Sequence, residues 1–327
     1  MLLTRDEESV LAGEKGEGLR TAMELLVALG DIYDAEELVP ISSAHLSGVS
    51  YKTIGEGGIE FLERLSKDAK VCVPTTLNPA GMDRQKWKEM GISPRFADRQ
   101  LHIIDQYERL GVNTDCSCTP YLGTNIPQKG QTLAWAESNA LSFANSVIGA
   151  RTNREGGPGA LAAAIVGKTP RYGLHLDENR APAIFVSVEL DKVDYSLLGQ
   201  AVGSAVGGRV PYFRGIRPTV DQLKTLAAAM AAAGSVALFH VEGVTPEAGI
   251  HDLKGLDRLA VGKREVEAAR NKFETGKDPE LIALGCPHLS VEEIRDLASK
   301  LRGKHRKGDA EVWFCTSRCT AAKCPRE

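Results

Sequence analysis

Strand-length apolar runs alternate with segments of helical periodicity along most of this 327-residue chain, and that alternation restricts its fold more than any other feature. From Glu17 to Leu29 the apolar positions Leu19, Met23, Leu25, Leu26 and Leu29 recur at the spacing of a helix with one buried face. A strand is expected over Leu38 to Ile41, a hydroxyl-rich loop over Ser42 to Ser50, a helix over Glu56 to Ser66 and a strand over Ala69 to Pro74. Gly81 to Phe96 reads as polar and irregular. Helices are expected over Leu101 to Leu110, Ala134 to Ile148 and Ala160 to Val166, and a strand over Ile184 to Glu189. Two helix–strand pairs follow, Val220 to Ala233 with Val236 to His240, and Lys263 to Phe273 with Leu281 to Leu284. This succession predicts an α/β chain with parallel sheets in two or three lobes.

Composition narrows the function. Hydrophobic residues make up 43% and charged residues 25%, and the net charge of -3 comes from interspersed acids and bases. Such a surface offers no electrostatic footprint for nucleic acid or an anionic membrane. The most apolar stretch, Leu226 to Phe239, is too short to span a bilayer and is broken at Gly234-Ser235. The start of the chain, with Thr4, Arg5, Asp6, Glu7 and Glu8, lacks a signal peptide's basic region and apolar core. A cytoplasmic location is the expectation. Seven cysteines, an odd number, do not form the framework of a disulfide scaffold.

Four polar motifs are expected just past strand ends: Thr75-Thr76-Leu77-Asn78-Pro79, Cys116-Ser117-Cys118-Thr119-Pro120, Gly285-Cys286-Pro287-His288 and Thr316-Ser317-Arg318. Open α/β sheets bind ligands at the carboxyl ends of their strands, so these motifs are expected to converge on one cleft. Cys72, inside an expected apolar strand, reads as a small buried hydrophobe. Cys118 and Cys286 sit beside prolines in loops; on spacing alone, two unrelated thiols is the plainer reading, because no paired C-x-x-C signature accompanies them. In Arg151-Thr152-Asn153-Arg154-Glu155-Gly156-Gly157-Pro158-Gly159, glycines before a helix start and two arginines suit a carboxylate or phosphate, against the alternative of a solvated loop. His175 and Glu178, near Asn179 and Arg180, read as a supporting polar network. Lys254 to Lys277 reads as a solvated helix face, and Arg302 to Lys307 as a short exposed basic connection.

The words Ser42-Ser43-Ala44-His45, Gly48-Val49-Ser50-Tyr51-Lys52, Thr75-Thr76-Leu77-Asn78-Pro79-Ala80-Gly81, Cys118-Thr119-Pro120-Tyr121, Ala136-Glu137-Ser138, Gly149 to Pro158, Tyr172-Gly173-Leu174-His175 and Gly285-Cys286-Pro287-His288 together resemble the aconitase X catalytic domain. The resemblance runs in the expected order from Leu3 to about Arg318. It implies an aconitase-like region built from several α/β/α, Rossmann-like lobes around a central cleft. It also implies an oxygen-sensitive iron–sulfur cluster, usually [4Fe–4S], with three cysteine ligands and one iron open to substrate oxygen. Cys118 and Cys286 match two ligand positions, and Cys116 is an extra neighbour. Gly48, Val49, Ser50, Asn78, Pro79, Glu137 and Ser138 match substrate-binding positions; Arg151 and Arg154 are added as candidates for a substrate anion.

Within the family the chain resembles the archaeal branch. That implies a hydro-lyase subunit removing water from (R)-5-phosphomevalonate in an isoprenoid route, with a separate small swivelling subunit that carries the catalytic base. No catalytic residue is therefore assigned in this chain. Dehydration of cis-3-hydroxy-L-proline is the alternative within the family; outside it stands a cluster-free subunit that binds an anionic metabolite or serves assembly. Large subunits of the family continue beyond the Thr-Ser-Arg word to a third cluster cysteine and a substrate-binding lysine, whereas this chain stops at Glu327 after Cys315, Cys319 and Cys324. Two readings follow: one of these thiols replaces the missing ligand, or the end is truncated, which is the simpler expectation.

Overall fold

The computed structural model describes residues 1–274, 276, 278–305 and 308–325. The chain divides into two units: Met1–Pro120 with Thr124–Glu137 and Ala150–Asn179, and Tyr121–Gly123 with Ser138–Gly149 and Arg180–Glu327. The first unit opens with α1 (Arg5–Leu11), α2 (Glu17–Ile32), β1 (Leu38–Pro40), β2 (Ser43–Leu46), α3 (Tyr51–Leu65), β3 (Thr75–Leu77), α4 (Pro94–Arg109) and β4 (Leu133–Trp135). The second contributes α5 (Ser138–Phe143) and a π turn at Ala144–Ile148 before the chain returns to the first for α6 (Gly157–Val166) and β5 (Lys168–Pro170). The rest belongs to the second unit: β6 (Ile184–Val188), α7 (Tyr195–Val206), β7 (Pro211–Arg214), α8 (Val220–Gly234), β8 (His240–Val241), β9 (Asp257–Val261), α9 (Lys263–Phe273), β10 (Leu281–Leu284), α10 (Val291–Leu301), β11 (Glu311–Phe314) and α11 (Arg318–Ala321).

In the first unit a parallel sheet runs in the order β3-β2-β4, with Ala44 opposite Thr75 and Ser43 opposite Leu133. Its central strand, Ser43 to Leu46, is buried at every position. The expected hydroxyl-rich loop over Ser42 to Ser50 is therefore corrected: its first half is the innermost strand. Polarity misled because each polar side chain has an internal partner. Trp135 Nε1 donates to Ser43 Oγ at 3.2 Å, and His45 Nδ1 lies 2.8 Å from Thr76 Oγ1. Helix α6, apolar on nearly all sides, is buried from Gly159 to Ile165 and packs on α2 and β2, as expected of a helix without a water-facing side.

Three further expectations change here. Ala69 to Pro74 is not a strand, because its amides go elsewhere: Val71 N donates to the Leu110 carbonyl at 2.9 Å and Cys72 N to the Ala164 carbonyl at 2.9 Å. Cys72 is exposed rather than buried, with its thiol 3.4 Å from the same Ala164 carbonyl. Ala134 to Ile148 is not one helix but the end of β4, a break at Ala136-Glu137, then α5 and the π turn.

In the second unit the parallel sheet β8-β7-β6-β9 is covered by α7 and α8, which meet backbone to backbone through Gly199, Gly203 and Gly234. Thr219 caps α8 and Ser290 caps α10, each in a reciprocal pair with a residue three positions on, Gln222 and Glu293. The expected strand over Val236 to His240 shrinks to His240–Val241. Strands β10 and β11 pair in parallel. Within the charged span Lys254 to Lys277, Asp257–Val261 is strand β9, and helix α9 buries no residue; Lys277 lies outside the described residues, as do Arg306 and Lys307 of the basic run.

Two ion pairs with buried cations hold the second unit. Lys224, 1% exposed, joins the Glu293 carboxylate and donates to the His288 carbonyl at 2.9 Å, tying α8 to the loop after β10. Arg180, 2% exposed, joins Glu247. Burial pulls His240 down to about 4, against the Arg180 backbone hydrogen bond that favours its charged form; burial also lowers His251. Among the described residues no helix is long and apolar enough to cross a membrane.

Candidate functional site

Parallel pairing sends the carboxyl ends of β2, β3 and β4 to one edge of the first unit's sheet. Ser47 to Ser50 leave β2 there, Asn78 and Pro79 leave β3, and Ala136 and Glu137 leave β4. Ladder bonds lock the exits: Asn78 N donates to Leu46 O at 2.9 Å and Ala136 N to His45 O at 2.8 Å. Six of the matched residues thus share one sheet edge, and Ser138, the first residue of α5, belongs to the second unit.

The Cys118 loop attaches to the same edge. Ser117 N donates to Leu77 O at 3.0 Å, and Thr119 N donates to Ser117 Oγ at 3.1 Å, a serine turn with both flanking residues buried. Cys118 between them stays partly exposed. No strand precedes this loop as expected, only an isolated parallel bridge of Asn113 to Thr76. Likewise Thr75–Leu77 is itself strand β3, so only Asn78 and Pro79 of that motif lie beyond a strand end.

Backbone openness decides what this edge can hold. A Cβ on Gly48 (φ +70°) would meet no atom within 4 Å, so the loop has an open face. Val49 is 1% exposed with its side chain in the core, which leaves its backbone for recognition. A Cβ on Gly157 would stand 2.5 Å from the Ser47 carbonyl, so glycine lets the start of α6 press against the β2 exit. A Cβ on Gly81 would come within 3.1 Å of Ser50 Oγ, which relates the Thr75 to Gly81 word to this edge.

Beneath the edge lies a polar layer that sequence reasoning missed. His45 is fully buried and held down to about 3, chiefly by burial, with Asn78 and Thr76 acting in the other direction; it is a neutral imidazole. Asn125 Nδ2 donates to Ala44 O at 3.0 Å and to Thr76 Oγ1 at 3.3 Å. Strand alternation across Ser43-Ala44-His45 was the available signal.

The two arginines separate. Residues 151–155 run alongside β4, with Arg151 bridged to Thr132 at its amino end and Glu155 N donating to Trp135 O at 3.3 Å at its carboxyl end. Three residues of extended chain are about 10 Å, and the Arg151 guanidinium is 2.5 Å from Asp177. The backbone of Arg151 thus lies at the opposite end of β4 from Glu137. Arg154 sits at the carboxyl edge; partial burial lowers its pKa and the neighbouring Glu137 carboxylate opposes that. Glu155 next to it is buried and pushed up to about 7 by that burial, with Thr169 in opposition. His175, 4.0 Å from Glu155, supports this loop together with Asn153, whose Oδ1 accepts from Leu174 N at 2.7 Å; Glu178 is exposed and takes no part.

In the second unit the exits of β10 and β11 are also neighbours. Cys315 N donates to Leu284 O at 2.7 Å and Leu289 N to Cys315 O at 3.0 Å. Gly285 (φ +110°) permits this, since a Cβ would fall 2.2 Å from the Cys315 carbonyl. Cys286 is exposed, and burial followed by the nearby Cys286 thiol raises Cys315 above the usual thiol range. Cys319 is partly exposed on α11, and Cys324 is buried.

Comparison with known proteins places these features. The aconitase X first domain matches residues 1–178, the second domain residues 182–271 and the third domain residues 279–327. The phosphomevalonate dehydratase large subunit of Methanothermobacter thermautotrophicus is 53% identical over 331 residues, covering 99% of this chain and 82% of that protein. The protein of the same name from Methanocaldococcus jannaschii is 48% identical, with 97% and 82% covered. The cis-3-hydroxy-L-proline dehydratase of Pseudomonas aeruginosa is 34% identical, covering 97% of this chain but 57% of that protein. The crystal structure of Thermococcus kodakaraensis aconitase X in its holo form superposes with a TM-score of 0.93 at 47% identity, over 99% of this chain and 83% of that one. Mixed α/β architecture, parallel sheets and three successive domain matches agree: the chain belongs to the aconitase X family.

Proposed function

We propose that this chain is the large subunit of an iron–sulfur hydro-lyase that removes water from (R)-5-phosphomevalonate to give trans-anhydromevalonate 5-phosphate. The observation that carries the reading is the sheet edge of the first unit, where Gly48, Ser50, Asn78, Glu137 and Cys118 leave or adjoin three parallel strands. Greater similarity to the archaeal large subunits than to the hydroxyproline dehydratases supports the phosphorylated substrate.

Cys118 and Cys286, matched to ligand positions by the family resemblance, are the proposed cluster ligands; Cys118 is partly exposed and Cys286 exposed. A bound cluster supplies Lewis acidity toward a departing hydroxyl. The chain's own residues bind and orient. Backbone amides of Gly48 and Val49, the Ser50 hydroxyl and the Asn78 carboxamide hold a hydroxy acid, Pro79 shapes the β3 exit, Glu137 and Ser138 complete the set, and Arg154 grips an anionic group. The base is assigned to a small swivelling subunit, consistent with relatives named large subunits. A cytoplasmic location goes with this reading.

The test is anoxic reconstitution with iron and sulfide, followed by assay with and without the small subunit on phosphomevalonate and on cis-3-hydroxy-L-proline. Turnover of phosphomevalonate is expected only in the mixture. Cys118→Ser and Cys286→Ser should lose iron while Cys72→Ser retains it; a Cys315→Ser variant reports whether that thiol replaces a third ligand. Equal iron in the Cys72, Cys118 and Cys286 variants, or full turnover by the isolated chain, would remove the proposal. A colourless protein that binds the substrate without iron would favour the cluster-free reading.

Arg154→Ala should weaken substrate binding by about 1.5–3 kcal/mol, the worth of a charge-assisted hydrogen bond, whereas Arg151→Ala should leave affinity unchanged. Isothermal titration with phosphomevalonate separates the two. The reverse pattern would show that the sheet edge has been misassigned.

A further inference from the structure

A separate constellation lies wholly within the second unit. His240 opens β8, and the chain then turns into the short 3₁₀ segment Ala248–Ile250, preceded by Glu247 and followed by His251. One ligand atom from each of His240, Glu247 and His251 lies within 4.8 Å of the other two. Ligands about 2.0–2.2 Å from a shared zinc ion stand roughly 3–4 Å apart, so modest side-chain adjustment brings these three onto one cation.

The tautomer of His240 is set by its surroundings. Its Nε2 is 2.9 Å from the Arg180 carbonyl, and a carbonyl only accepts, so Nε2 carries the proton and Nδ1 presents a bare lone pair. Metal-binding histidines are commonly oriented in this way by a backbone carbonyl on the far ring nitrogen. Nδ1 of His240 and Nε2 of His251 are both buried and have no hydrogen-bond partner among the described residues, and the two rings lie 4.6 Å apart. Two buried nitrogens left unpaired carry a desolvation cost that a ligand would offset.

We propose that His240, Glu247 and His251 bind one divalent transition-metal ion of the zinc type, apart from the cluster ligands. Two imidazoles with one carboxylate favour such an ion over calcium or magnesium, which prefer all-oxygen sites. Glu247 Oε2 also accepts from Arg180 at 2.9 Å, so the carboxylate bridges a guanidinium and the ion. The half-buried position of His251 leaves a route from solvent. Bound there, the ion clips the turn after β8 back onto that strand.

Cobalt(II) is the probe. The full chain, its accessible thiols alkylated to silence the cysteines, is titrated anoxically and read by visible absorption and by metal analysis after desalting. One equivalent held without thiolate charge-transfer bands and displaced by zinc is expected. His240→Ala and His251→Ala should each weaken it at least tenfold, and His102→Ala, a surface control, should not. No bound equivalent in the alkylated chain, or equal affinity in both ligand variants, overturns the site. If His240→Ala does not fold, the half-buried His251→Gln decides alone: loss of the equivalent supports the site, retention overturns it.

Discussion

Replacing Arg180 by methionine is expected to lower the stability of the second unit by about 3–5 kcal/mol, the cost of leaving a buried charge unpaired. Arg180 is 2% exposed, and Nε and Nη2 donate to Glu247 Oε2 at 3.0 and 2.9 Å. Its Nη1 reaches Asn145 Oδ1 at 3.3 Å and Nη2 the Asn145 carbonyl at 3.2 Å. A methionine fills most of the space but satisfies none of these acceptors, and Glu247, 7% exposed, keeps its carboxylate out of water. Because two units need not unfold together, native-state hydrogen exchange of the α7 and α8 amides in the presence of a chelator is the measurement. Adding Glu247→Gln should recover part of the loss, since removing both charges costs less than removing one. A change below about 1 kcal/mol would mean that water reaches this pair, contrary to its burial.

The second large effect is expected at a position with no side chain. In Gly234→Ala the new methyl would stand 1.8 Å from the Gly203 carbonyl oxygen and 2.5 Å from its carbon, both backbone atoms that no rotamer change can move. Gly199 and Gly203 on α7 also face α8 closely, with added Cβ atoms meeting Ala229 at 2.6 Å and the Met230 backbone at 3.0 Å. The helices must part or tilt, and overpacking of this severity costs about 3 kcal/mol or more. Gly57→Ala, two residues past the break in α3 at Gly55 (φ +58°) and with nothing within 4 Å, is the control and should change stability by less than about 0.5 kcal/mol. Comparison of thermal midpoints settles it: equal midpoints for the two variants would show that α7 and α8 do not pack as closely as these distances state.

Several elements were legible in the sequence to the residue. Lys263–Phe273 and Leu281–Leu284 match the expected helix and strand end for end, and Val220–Gly234 differs by one residue. There the helix start, the capping pairs and the periodicity are local, so a short window carries the whole signal. Strands fared worse where burial was complete. Ser43–Leu46 has the hydroxyls of a loop and the partners of a core strand, and only its neighbours Thr76 and Trp135 reveal which.

The sequence by itself determined the α/β class, the helices with their caps, and the glycine, asparagine and cysteine words that identify the family, because each rests on residues close together in the chain. Tertiary structure alone decided the rest. Pairing order β3-β2-β4 brought Gly48, Asn78 and Glu137 to one edge. Strand direction placed Arg154 at that edge and Arg151 at the other. The parallel pairing of β10 with β11 put Cys315 beside Cys286, and the turn after β8 faced His251 toward His240. Strand order and register join segments far apart in sequence, and the hydrogen bonds that select among alternative pairings exist only once the sheet has formed.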